Sequence, residues 1–99
     1  MMTEPSTSSG ELAVGTNVVV AVPALLTALI LSPAAAACSV KVYDNASAAS
    51  GTVIAELLAV ANGASVSLQF NSPVNAIRGL VAVVAGTGGI AQVMYQREN

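Results

Sequence analysis

The sequence predicts an all-β protein, folded as a single small β-sandwich or jelly-roll-like barrel of about seven to eight strands with an extended N-terminal arm. Two observations predict this fold class. Short apolar or alternating runs recur between clusters of Gly, Pro, Asn and Ser, at spacings of roughly 8–12 residues that are typical of all-β sandwiches. The chain is also 99 residues long, which is the size of one domain.

Residues 1–16 form the first segment, which is rich in Ser, Thr, Gly and Pro. This composition is typical of chain that does not fold by itself. We expect either a flexible tail or an extended arm that becomes ordered against a neighbouring subunit. The β-sandwich domain is accordingly expected over residues 17–99.

The run from Val18 to Cys38 contains no charged residue and is open to three interpretations: a membrane span, an export signal, or buried strands. An export signal begins with positive charge, whereas the only charges before this run are Glu4 and Glu11. A lipoprotein cleavage box before Cys38 would have a leucine-like residue where this chain has Ala35. Neither feature favours a signal peptide or a lipidated cysteine.

Two prolines, Pro23 and Pro33, divide the same run and leave residues 24–32 as its longest proline-free piece. As a helix this piece would rise only about 13 Å, against a hydrocarbon core of about 30 Å. Its leucine and isoleucine residues fit a strand of ordinary length, and proline is tolerated at strand ends. We therefore expect two buried strands here, with a membrane-anchored or lipidated bacterial surface protein as the alternative.

Further strands are predicted at residues 39–43, 52–60, 65–70, 76–84 and 90–96. Residues 52–60 fit a helix or a strand, and the bounding glycines favour a strand. Alternation predicts the inward-facing side chains Val40, Val42, Val66, Leu68, Phe70, Ala91, Val93 and Tyr95. Asn62-Gly63 is a turn signal, Asn71-Ser72-Pro73 is expected to end a strand, and Gly79 indicates a bulge or a close backbone approach.

Charge is scarce, because only 8% of the residues are charged, against roughly 25% in a typical soluble domain. A free monomer with so few charges exposes small and apolar side chains, so we expect a homo-oligomer in which copies cover much of that surface. The 3 basic residues are scattered, which argues against direct binding to nucleic acid.

Residues suited to catalysis or metal binding are also scarce. The chain has no histidine, and its single cysteine, Cys38, excludes an internal disulfide and a cysteine-based zinc site. Asp44 and Glu56 lack a nucleophile as an acid–base pair, and Asp44 is better explained as a turn residue that accepts backbone N–H bonds. Cys38 is expected to be a small buried hydrophobic side chain. We expect no enzyme activity, cofactor, metal or small-molecule substrate.

Two short motifs resemble functional signatures. Residues 86–91, GTGGIA, match a loose dinucleotide-binding pattern, but that mechanism needs a following helix and a later acidic residue. We expect a glycine hairpin there instead. Asn45-Ala46-Ser47 matches a glycosylation sequon, a motif so short that it occurs by chance.

Two stretches then carry a family resemblance, which extends from Leu25 to Tyr95. They are V-x-V-Y-D at residues 40–44, followed by a glycine-containing turn, and R-G-L at 78–80, which opens a strand that ends at G-T-G. The chain resembles small β-sandwich virion structural proteins of tailed bacteriophages, among them capsid decoration (cement) proteins. No residue of a functional site can be transferred from the resemblance.

The resemblance implies a non-enzymatic protein of the virion, on the capsid surface rather than the tail. Its expected partners are copies of itself, with a trimer favoured, and the major capsid protein or other virion proteins. One alternative is a tail fibre, baseplate or host-adhesion component. The other is the membrane-anchored or lipidated surface protein that would use the run from Val18 to Cys38.

Overall fold

The computed structural model describes residues 7–97, and within that range the protein is all-β, with eight strands and no helix. The strands are β1 (Thr7–Ser8), β2 (Gly15–Val20), β3 (Ala24–Ser32), β4 (Cys38–Asp44), β5 (Thr52–Ala59), β6 (Val66–Ala76), β7 (Leu80–Ala85) and β8 (Ile90–Arg97). They form two antiparallel sheets of four strands each. The predicted small β-sandwich is confirmed.

Sheet I has the strand order β1-β8-β3-β6, and sheet II has the order β2-β7-β4-β5. Each strand of the first half of the chain therefore pairs with its counterpart in the second half: β1 with β8, β2 with β7, β3 with β6 and β4 with β5. Every connection except the one from β4 to β5 crosses between the sheets. Eight strands wound in this way form a jelly roll.

The core lies between the sheets, and β3 supplies three of its four fully buried leucines. Leu26, Leu29 and Leu31 are fully buried. Leu26 and Leu29 are three residues apart and would face opposite sides of a regular strand. They share one side because the register shifts at Thr27. Leu26 pairs with Tyr95 of β8, and Ala28 pairs with the adjacent residue Met94, so Thr27 is an extra residue on β3. This bulge in β3 brings both leucines into the core.

The run from Val18 to Cys38 forms the second half of β2, all of β3 and the first residue of β4. The interpretation of this run as strands is confirmed, but of β2 and β3 only β3 is buried between the sheets. No residue of β2 is fully buried, and Val18 is 52% exposed. Pro23 directly precedes β3 and Pro33 directly follows it, so each proline lies where a missing N–H costs little. In residues 7–97 no helix has the length and apolar character needed to cross a membrane.

The extended N-terminal arm expected over residues 1–16 is not supported. Its residues 1–6 lie outside the described range, and β1 pairs with β8 of the same chain. Ser9 donates its N–H to the carbonyl of Val93 at 2.9 Å, and Leu12 forms a β-bridge with Ala91 and packs against the core. The edge of β8 has backbone N–H and C=O groups that need hydrogen-bond partners, and residues 7–12 supply those partners.

Two strand boundaries also differ from those predicted. Asn71-Ser72-Pro73 does not end a strand but lies within β6. Opposite it the register moves from the pair Leu26–Val74 to the pair Ala28–Gln69, so residues 70–73 of β6 lie opposite Thr27 alone and form a bulge. Because β6 is an edge strand of sheet I, proline is tolerated there.

The single strand predicted over residues 76–84 is split, since β6 ends at Ala76 and β7 begins at Leu80 in the other sheet. Gly79 lies between them with φ of +147°. A Cβ atom at this position would be 2.5 Å from the carbonyl oxygen of Val20 and 2.9 Å from that of Asn45. The predicted close backbone approach is confirmed, and it is what allows the chain to change sheets here.

The faces of the remaining strands follow the predicted alternation. Val40 and Val42 of β4 are fully buried, and so is Val93 of β8. Val66 and Phe70 of β6 are partly buried and pack against the same core. The lower burial of these two side chains reflects their place on an edge strand.

Candidate functional site

The outward side of β4 and β5 is the most distinctive surface of the described chain. Because Val40 and Val42 point into the core, their neighbours on β4 point outward. The strand register then places outward residues of β4 and β5 side by side in three rows: Ser39 with Leu58, Lys41 with Glu56, and Tyr43 with Val53. We call these six residues the β4–β5 face.

Large apolar side chains are exposed on this face. Leu58 is 71% exposed and Val53 is 44% exposed, and Val60, which follows directly after β5, is 73% exposed. Single exposed apolar residues are common on protein surfaces. Here three lie within residues 53–60, on either side of the charged middle row, which makes the face a candidate contact surface.

A shallow hollow of about 230 Å³ lies at one end of the face. It is lined by Ala37, Cys38, Ser39, Leu58, Ala85 and Gly86. Most of these side chains are small, whereas Leu58 is large and exposed. The same end of the face therefore has both a projecting side chain and a recess beside it.

Lys41 and Glu56 are the only charged residues in the three rows, and they lie directly opposite each other in the middle row. Both side chains are exposed. Opposite charges across a strand pair in solvent contribute only about 0.2–1 kcal/mol. Their effect on the fold is small, but the register places one positive and one negative residue side by side in the middle row.

The structure does not bring Asp44 and Glu56 together. Asp44 lies opposite Thr52 on β5, whereas Glu56 lies opposite Lys41, three positions earlier on β4. That separation is about 10 Å along the strand. Asp44 does accept a backbone N–H bond, as predicted, but the donor is Arg78 in the distant turn before β7, at 2.8 Å.

Asn45, the first residue of the sequon, shapes its own loop. Its side-chain oxygen accepts N–H bonds from Ser47 at 2.9 Å and from Ala48 at 3.1 Å, and its amide nitrogen donates to the carbonyl of Ser50 at 3.1 Å. An asparagine that bonds to the backbone two residues later is a common turn device. These bonds give Asn45 a structural role between β4 and β5.

The glycine-rich segment leads from β7 in sheet II to β8 in sheet I. Gly89 donates its N–H to the carbonyl of Gly86 at 3.0 Å, and Gly86 and Gly88 have φ of +102° and +80°. The segment forms a turn, but the predicted hairpin is wrong, because the turn joins a strand of one sheet to a strand of the other. A strand follows it where dinucleotide binding would need a helix.

Cys38 is a small buried side chain, as predicted, with 5% of its surface exposed. Its thiol lies 3.9 Å from the carbonyl oxygen of Ser32. Among residues 7–97 there is no cluster of three or more His, Cys, Asp or Glu side chains that would hold a metal ion.

The β4–β5 face could not be identified from the sequence. Residues 52–60 contain an irregularity at Ile54, because Val42 pairs with Ala55 but Tyr43 pairs with Val53. This bulge reverses the alternation within β5, so the outward position of Leu58 follows only from the register.

No family model, curated protein or solved structure matches this chain.

Proposed function

We propose that this protein is a non-enzymatic structural protein of a phage virion and acts as a capsid decoration (cement) protein. The observation that carries the proposal is the β4–β5 face, on which Leu58 is 71% exposed and Val53 is 44% exposed, on a jelly-roll scaffold. Burying apolar surface gives about 25 cal/mol per Å², which makes such a face suited to contact with another protein.

The scaffold and the composition support the same proposal. Double-sheet jelly rolls occur in viral capsid proteins and in lectin domains, which act through their surfaces. Such a fold hosts many functions, so the resemblance at residues 40–44 and 78–80 is what directs the proposal to virions. The partners that we propose are the major capsid protein, other virion proteins and copies of the chain itself.

The test is the copy number in purified particles of the phage whose genome encodes the chain. Quantitative mass spectrometry should find the chain at a level comparable to that of the major capsid protein. Particles reconstituted with Leu58→Asp should carry fewer copies than particles with Ile77→Asp, a control at another exposed apolar residue. Particles that lack the chain altogether would contradict the proposal.

A second candidate, a tail or host-adhesion component, is favoured by the outward side of sheet I. Amide side chains line this side on both strands that flank β3: Gln92 and Gln96 on β8, and Gln69 and Asn75 on β6. Neutral amides donate and accept hydrogen bonds and so suit the hydroxyl groups of sugars. This candidate predicts a low copy number per particle and glycan binding that Gln92→Ala weakens.

A further inference from the structure

We infer that the β4–β5 face is a self-complementary interface at which two copies of this chain pack together about a two-fold axis. The axis runs parallel to the strands, between β4 and β5. This inference concerns self-association of the free protein, in which no virion partner occupies the face, and it stands whether or not the protein belongs to a virion.

Under this axis each of the three rows of one copy lies against the same row of the other copy. A two-fold axis that lies between two strands and parallel to them places each residue of β4 above its row neighbour on β5 of the other copy. Lys41 of one copy then faces Glu56 of the other, and Glu56 faces Lys41. The interface gains two pairs of opposite charges, and no like charges meet.

The same axis places the exposed side chain of Leu58 opposite the hollow of the other copy. Leu58 of one copy lies above Ser39 of the other, which is part of the hollow lined by Ala85 and Gly86. The hollow measures about 230 Å³. By comparison, a cavity of about 150 Å³ holds a benzene molecule. At the other end of the face, Val53 of each copy lies above Tyr43 of the other copy, so the third row contributes apolar contacts.

The size of the face predicts a weak dimer. Two strands, spaced about 4.8 Å apart and rising about 3.3 Å per residue, present an outward surface well below the roughly 800 Å² per partner of a standard interface. Dimerisation should therefore be measured by sedimentation equilibrium at protein concentrations up to about 1 mM and at low salt, where charge pairs are least screened.

Charge reversal gives a sharp test. Lys41→Glu makes both charged groups of the face acidic, and Glu56→Lys makes both basic, so each variant alone places like charges opposite each other. We expect each to dimerise at least about ten-fold more weakly than the wild type. An equimolar mixture should recover dimerisation, because every acidic group then faces a basic one. Arg78→Glu and Glu11→Lys make the same charge changes outside the face and should leave dimerisation unchanged.

A second variant tests the projecting side chain. Leu58→Asp should abolish the dimer, and Ile77→Asp, at a residue that is 64% exposed outside the face, should leave it intact. Circular dichroism confirms that each variant folds. The inference is overturned if the wild type stays monomeric at 1 mM, if the main species is a trimer, or if mixing the two charge variants does not restore association.

Discussion

The carboxylate of Asp44, at the end of β4, accepts a hydrogen bond at 2.8 Å from the backbone N–H of Arg78, which lies 34 residues later in the chain. The bond joins the last residue of a sheet II strand to the turn by which the chain leaves sheet I. It is a long-range contact that links the end of β4 to the turn before β7.

We expect Asp44→Ala to lower the free energy of unfolding by about 1.5–3 kcal/mol, because the variant removes a charged acceptor from a backbone donor. Urea denaturation measures the change. Asp44→Asn is the matched control, since it keeps an acceptor oxygen of the same shape and should cost less. Equal losses for the two variants would show that the hydrogen bond is not the cause.

Position 86 requires glycine for two reasons, which are the lack of room for a side chain and the positive φ of the backbone. With φ of +102°, Gly86 has no room for a side chain, because a Cβ atom would lie 2.7 Å from the Cα of Cys38. Gly15 has φ of +129° and open space around it. We expect Gly15→Ala to cost about 1–3 kcal/mol from backbone strain, and Gly86→Ala to cost about 1–3 kcal/mol more. Thermal unfolding of the two variants separates the steric cost from the conformational one.

The two faces of β3 should respond differently to truncation. Leu29 is fully buried between the sheets, while its neighbour Ile30 points outward and is half-buried. We expect Leu29→Ala to lower the free energy of unfolding by about 2–5 kcal/mol and Ile30→Ala by less than half as much. Chemical denaturation measures both. Equal effects would contradict the placement of β3 as a strand with one core face.

The N-terminal segment should stabilise the domain. Deletion of residues 1–12 removes the pairing of β1 with β8, the bonds between Ser9 and Val93, and the packing of Leu12. We expect a loss of about 2 kcal/mol or more, together with faster amide exchange at Val93. Deletion of residues 1–6 retains all of these contacts and serves as the control. A domain equally stable after both deletions would support a free arm.

The sequence by itself determined the class of the fold and most of its strands. Apolar alternation in β4 and β8 places Val40, Val42 and Val93 correctly, because a strand with one buried face must alternate. The prolines on either side of β3 marked its ends, since proline is disfavoured inside a central strand. These signals are local, and each can be read from a few neighbouring residues.

Tertiary structure alone decided how the strands pair and where the alternation breaks. The bulges at Thr27 and Ile54 decide that Leu29 faces the core and that Leu58 faces outward. The segment around Ser9 is polar enough to be taken for a loose arm, yet it joins sheet I because the edge of β8 offers it hydrogen-bond partners. Register and edge pairing depend on contacts between residues far apart in the chain, and no local pattern in the sequence encodes them.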